Sequence, residues 1–361
     1  MLVPSHILSI KPYVPGKPIE ELEREYGISG SVKLASNENP LGPSPKAVKA
    51  MESALGSLHR YPDGGAFGLT RILSEHLGLP PEMIVFGNGS DELIGLLSHA
   101  FLRPGDEVVL PRPSFLIYEI MTRSMGAVPV PVPLKSLSID LDAIIDAITP
   151  NTRMVFITNP NNPTGTIIRK EAFERFLEKL PSRVMLVVDE AYIEFVRDDA
   201  CAVGTDYLYG PNPVAVLRTF SKAYGLAGLR IGYGVMPEEI RSLLNRIRMP
   251  FNASTLAQVG AGAALKDSGF LEKTLRVVHE GLEYMFSALA ALGLTSFPTQ
   301  SNFFLIDLKR DADEVFEKLL RRGIIVRSMA SYGYPEYIRV SVGLPEENER
   351  FVNALKSTLC Q

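Results

Sequence analysis

The sequence predicts an α/β protein with a larger domain on a mostly parallel, seven-stranded sheet and a smaller C-terminal α+β domain. Three observations carry that expectation. Seven short apolar runs, at 83–86, 107–110, 127–130, 154–158, 184–188, 214–217 and 231–235, alternate with longer segments of helical apolar spacing. That alternation is the signature of a parallel sheet covered on both faces. Past about Arg241 the punctuation thins and two long helical stretches follow, over 240–265 and 270–292. The chain also has 361 residues, 46% of them apolar and 22% charged, which is a folded protein too long for one ordinary domain.

Taken in order, residues 1–36 hold several prolines and one short helical candidate at 19–26, and read as an arm that lies against another part of the molecule. The larger domain spans 37–245. It opens on the turn-rich Leu34-Ala35-Ser36-Asn37-Glu38-Asn39-Pro40, continues through helices at 45–58 and 69–77 with the loop Arg60-Tyr61-Pro62-Asp63 between them, and then enters the seven runs. The smaller domain spans 246–361, begins with linking helix, and has strands at 302–307 and 337–342 and helices at 313–322 and 346–359.

Composition removes several function classes. The formal net charge of −4 leaves no basic footprint for nucleic acid. Two cysteines, Cys201 and Cys360, cannot frame a disulfide scaffold, and no Cys or His spacing suggests a metal. No apolar run approaches the roughly 18 residues that cross a bilayer. The first residues lack the basic start and sustained apolar stretch of a signal peptide, so a cytoplasmic protein is expected.

Four segments carry candidate chemistry, all following apolar runs. Gly87-Asn88-Gly89-Ser90-Asp91-Glu92 leaves a strand and opens a helix, where free N–H groups and the helix dipole favour a phosphate. Glu92 occupies the third glycine position of a dinucleotide fingerprint, which argues against that reading; a plain strand-to-helix turn is the competing account. Asn159-Pro160-Asn161-Asn162-Pro163-Thr164-Gly165 is an irregular loop at a strand end, either a structural turn or a means of aiming the Asn162 amide at a ligand. In the run ending at Asp189, a carboxylate sits at the mouth of a buried strand, with Tyr192 three residues on. Such a carboxylate either caps the next helix or faces a cation. Lys222, in Thr219-Phe220-Ser221-Lys222-Ala223-Tyr224-Gly225, lies among small residues and aromatics, with Arg230 eight residues later. Most lysines are solvated surface groups; one desolvated at a strand end has a lowered pKa and can form a Schiff base with a carbonyl. Late in the chain, Arg327 and Arg339 suit bidentate capture of a carboxylate or phosphate, although a snorkelling surface arginine is the more usual account of Arg339.

The order of these motifs resembles the fold-type I, class II aminotransferases that depend on pyridoxal phosphate, from Leu34-Ala35-Ser36-Asn37-Glu38-Asn39-Pro40 through to Arg339-Val340-Ser341-Val342-Gly343. Within that family the chain looks most like the branch of histidine biosynthesis that exchanges the amino group between L-histidinol phosphate, a phosphorylated amino alcohol, and 2-oxoglutarate/glutamate. Aromatic or broad-specificity aminotransferases and threonine-phosphate decarboxylases share the same skeleton. The resemblance implies that Lys222 holds the cofactor as a Schiff base and shuttles the substrate proton. It implies that Asp189 pairs with the ring nitrogen, that Asn162 and Tyr192 contact the ring oxygen, and that Ser221, Arg230 and the backbone of Ser90 and Asp91 hold the phosphate. Phe115 would stack on the ring, where related enzymes often carry Tyr. Tyr61 would reach the neighbouring subunit's cofactor, which makes a homodimer necessary. Tyr13, Asn37, Arg327 and Arg339 would bind substrate.

Overall fold

All seven apolar runs enter one sheet, so the expected larger α/β unit forms. The computed structural model describes residues 2–13 and 16–360. Its thirteen strands are β1 (Val32–Lys33), β2 (Ile84–Gly87), β3 (Glu107–Arg112), β4 (Val128–Pro133), β5 (Thr152–Thr158), β6 (Met185–Asp189), β7 (Val214–Thr219), β8 (Gly232–Val235), β9 (Thr295–Ser296), β10 (Phe303–Asp307), β11 (Ile324–Ile325), β12 (Arg327–Ser328) and β13 (Tyr337–Ser341). The seven-stranded sheet runs β2-β8-β7-β6-β5-β3-β4. Its strands pair in parallel except β8, which is antiparallel to both β2 and β7.

Burial explains the apolar runs. Every residue of β6 is buried, as is every residue of β2 and β8, because helices cover both faces and leave no solvent side for alternation. The three central strands end together. Thr158 of β5 lies beside Asp189 of β6, and Asp189 beside Leu217 of β7, two residues before Thr219. Their carboxyl ends form the edge on which a parallel sheet presents ligands.

The expected helix over 240–265 is two helices, Glu238–Ile247 and Thr255–Leu265. The break has a local cause. Pro250 cannot supply a helical N–H, Phe251 takes a left-handed φ of 60°, and Ser254 caps the second helix by accepting from the Ala257 N–H at 3.2 Å. Ala257, Ala261 and Ala264 of that second helix pack in the same core as Leu69, Leu73 and Val216 of the sheet unit.

The C-terminal α+β unit also forms. Its four-stranded antiparallel sheet runs β12-β13-β10-β9, covered by helices Ser268–Ala291, Ala312–Leu320 and Pro345–Leu359. The start of the N-terminal arm lies against the larger unit, with His6 beside Gly126 and Tyr13 beside Phe115, and its later part, residues 19–35, lies against the C-terminal unit. β1 pairs in parallel with β11, and Leu22 and Ala35 pack with Leu320 and Ile325. Tyr192 and Ala223, from the loops that end β6 and β7, share the second core with Phe303 and Val340.

Candidate active site

The carboxyl ends of β5, β6 and β7, the start of helix Ser90–Phe101, the arm and the β12–β13 pair enclose a cavity of about 340 Å³. Tyr13, Asn37, Ser90, Asp91, Phe115, Asn162, Asp189, Tyr192, Ser221, Lys222, Arg230, Arg327 and Arg339 all line it. These thirteen residues span most of the chain, so the cavity is assembled by tertiary folding. Tyr61 alone lies outside, 82% exposed and stacked on Phe251 with ring centroids 4.7 Å apart.

Lys222 follows β7, and its Nζ donates to the Ser36 carbonyl at 2.9 Å. Burial, helped by the nearby Arg339 charge, draws its pKa down from the usual lysine value to about 8. Opposite it, the buried Asp189 carboxylate accepts the Tyr118 hydroxyl on Oδ2 at 2.6 Å and the Ala191 N–H on Oδ1 at 3.1 Å. Burial pushes its pKa up to about 6, with those two hydrogen bonds opposing the shift. Neither neighbour is a cation, and among the described residues Asp189 makes no ion pair. The segment after it is only a single 3-10 turn, Ile193–Phe195, so the helix-cap account of Asp189 fails; its Oδ1 makes a local turn instead.

Tyr192, Asn37, Asn162 and Arg339 form one polar network. The Tyr192 hydroxyl accepts from Asn37 Nδ2 at 3.0 Å and Asn162 Nδ2 at 3.4 Å, and burial pushes its pKa up to about 12. Asn162 Oδ1 in turn accepts from Arg339 Nη1 at 2.6 Å. Asn37 holds a left-handed φ of 55°, which asparagine tolerates, and exchanges hydrogen bonds with Ser341: its N–H donates to Oγ at 2.9 Å and its Oδ1 accepts at 2.8 Å.

Arg327 and Arg339 are direct cross-strand partners in the β12–β13 pair. Like charges placed opposite each other are unfavourable without an anion between them. Arg339 is 8% exposed, and its Nε is buried without a hydrogen-bond partner. The snorkelling account of Arg339 is therefore excluded.

At the other end of the cavity, Ser90 begins its helix behind Gly89, whose φ is 77°. The space here exists because two side chains are missing. A Cβ on Gly232 would stand 2.4 Å from the Ser90 nitrogen, and one on Gly89 would stand 2.4 Å from Arg230 Nη2. Arg230 Nη2 and Asp91 Oδ2 are 3.5 Å apart. Helix N–H groups, a guanidinium and the Ser221 hydroxyl together make an anion cradle.

The sequence reading missed Tyr118, Thr158, Thr219, Ser36 and Tyr332, which also line the cavity. Tyr118 sits on helix Leu116–Ser124 at apolar helical spacing and reads as core. The only usable signal was its place three residues after Phe115. Ser36 acts through its carbonyl, which no side-chain motif reveals.

The chain resembles known proteins over nearly its whole length. The family model for aminotransferases of class I and II matches residues 29–355. The histidinol-phosphate aminotransferase of Desulfotalea psychrophila is 48% identical over 99% of this chain and 95% of its own. That of Moorella thermoacetica is 48% identical over 98% and 92%. Among solved structures, the histidinol-phosphate aminotransferase of Sinorhizobium meliloti in complex with pyridoxal-5'-phosphate superposes with a TM-score of 0.92 at 30% identity, covering 99% of this chain and 98% of that one.

Proposed function

Because the chain belongs to the class I and II aminotransferase family, we propose that it transfers the amino group of L-histidinol phosphate to 2-oxoglutarate with pyridoxal phosphate as cofactor. One observation carries the reading. An amine of lowered pKa and a buried carboxylate without an ion-pair partner face one cavity, between an anion cradle and a cross-strand pair of arginines.

The residues fit the cofactor. Lys222 offers an amine to its aldehyde, Asp189 a carboxylate to its ring cation, and the Ser90 helix start with Ser221 and Arg230 offers donors to its phosphate. Phe115 offers a face to the ring, edge-on to Tyr118 at 5.7 Å and to Tyr13 at 6.5 Å. When bound, pyridoxal phosphate supplies an electron-withdrawing ring that stabilises negative charge at the adjoining substrate carbon.

The chain's own residues do the rest. Lys222 Nζ, neutral above about pH 8, removes the proton from the substrate carbon that bears the amine. Asp189 would keep a proton on the ring nitrogen, and Tyr192 and Asn162, already joined by a hydrogen bond at 3.4 Å, would hold the ring oxygen. Arg327 and Arg339 bind the substrate's phosphate in one half-reaction and the carboxylates of the keto acid in the other, which is what a site serving two unlike anions in turn requires. Tyr13 and Phe115 cover the substrate and exclude water.

The same proposal includes a homodimer acting in the cytoplasm. Its support is Tyr61, exposed and stacked on the also exposed Phe251, with the exposed Leu58, Phe67 and Met249 close to one or the other along the chain, since exposed apolar side chains of this kind mark protein interfaces. No helix among the described residues is long and apolar enough to cross a membrane.

The test is the yield of glutamate from 2-oxoglutarate with histidinol phosphate, phenylalanine or O-phosphothreonine as donor. Turnover with histidinol phosphate is expected. Turnover with phenylalanine alone would move the protein to the aromatic aminotransferases, and carbon dioxide released from O-phosphothreonine would make it a decarboxylase.

A further inference from the structure

Thr158, Tyr118 and Asp189 form a buried chain of hydrogen bonds in the wall of the cavity. The Tyr118 hydroxyl stands 3.0 Å from Thr158 Oγ1 and 2.6 Å from Asp189 Oδ2. Its ring is fully buried, stacked on Phe156 at 4.7 Å and 8° between planes, so the hydroxyl has no freedom to leave. The direction of the chain follows from counting protons. An ionised carboxylate only accepts, so the single Tyr118 proton points to Asp189 and the Thr158 hydroxyl donates to Tyr118. If Asp189 were protonated, that pattern would lose its reason and could reverse.

We propose that Tyr118 is a positioning residue for Asp189, holding the carboxylate ionised and oriented for the cofactor's ring nitrogen through a chain that begins at Thr158. This rests on the functional reading above. Two structural facts support it beyond the contact itself. The β5–β6 register places Thr158 beside Asp189, so both ends of the chain sit on rigid strands. And among the described residues no cation is paired with Asp189, which leaves Tyr118 and the Ala191 N–H as its hydrogen-bond donors. Removing Tyr118's donor leaves a buried carboxyl that takes up a proton at higher pH than before.

The experiment is a pyridoxal phosphate titration of full-length apoprotein, wild type against Tyr118→Phe, from pH 6 to 8.5, with melting temperatures recorded alongside. The ratio of the two dissociation constants cancels the titration of Lys222, which both proteins share. Tyr118→Phe is expected to bind the cofactor about 10-fold more weakly near pH 6.5, the scale of a lost hydrogen bond to a charged group. The deficit should shrink as pH rises and Asp189 ionises. Equal constants at every pH, or a deficit that does not change with pH, would overturn the proposal; the latter is what loosened packing alone produces. If Tyr118→Phe does not fold, Thr158→Val removes the donor to the tyrosine hydroxyl and leaves the ring in place. It should show a smaller deficit of the same pH sign, and none would overturn the proposal. Failure of the wild type to bind pyridoxal phosphate would sink the functional reading instead.

Discussion

Lys222 and Asp189 respond to the same burial in opposite senses, because desolvation disfavours whichever form is charged. The lysine pKa falls to about 8 and the aspartate pKa rises to about 6. For Lys222 the sign is clear: the amine is protonated below about pH 8 and neutral above it. The rate at which apoprotein captures pyridoxal phosphate should therefore rise through about pH 8 and level off, as followed by absorbance in a stopped-flow instrument. A midpoint near 10.5, the ordinary lysine value, would mean the amine is not desolvated. Asp189 could be picked from the sequence because a charge closing an apolar run is costly unless it has a purpose, and Lys222 because it lies among small residues and aromatics just past a strand end. Tyr118 could not, since a tyrosine within helical apolar spacing is indistinguishable from core until its hydroxyl is seen against Asp189.

At the scale of elements, two contacts between neighbours shape the cavity. β8 passes so close to the start of helix Ser90–Phe101 that Gly232 has no room for a side chain. Gly232→Ala should cost about 1–3 kcal/mol of stability, the usual scale of overpacking, and should weaken pyridoxal phosphate binding because the helix start must move. Chemical denaturation and a cofactor titration would check both; unchanged affinity would separate the helix start from the phosphate site. The β12–β13 register sets Arg327 against Arg339. Arg327→Gln should raise the KM for histidinol phosphate on the order of 10-fold or more, as loss of a charge-assisted hydrogen bond does. Unaltered kinetics would remove Arg327 from the substrate site. The strands and most helices were legible from periodicity, but the break between Glu238–Ile247 and Thr255–Leu265 was not. Apolar residues continue across it, so Pro250 is the one local sign of the break.

For the whole molecule, Tyr61 poses the sharpest question, since it alone of the expected residues lies outside its own chain's cavity. If it completes the site of a second copy, mixing Lys222→Ala with Tyr61→Ala subunits should restore activity that neither variant has alone. Random pairing in a two-fold dimer gives each hybrid one intact site, about one site in four overall. No recovery after subunit exchange would show that Tyr61 does not act across an interface. The arm belongs to the same scale. β1 pairs with β11 some 290 residues away, so the arm's course depends on a late strand that local sequence does not announce.

By itself the sequence determined the layered α/β architecture, the seven runs that make one sheet, and the residues that close those runs. These follow from local rules: burial on both faces selects continuous apolar strands, and a charge at a strand end marks a ligand edge. Only the tertiary structure decided that β8 runs antiparallel, that Arg327 faces Arg339, that Ser36 presents its carbonyl to Lys222, and that the Tyr118 hydroxyl meets Asp189. The physical reason is that pairing direction, register and hydrogen-bond partners arise between segments distant in the chain, where no local pattern constrains them.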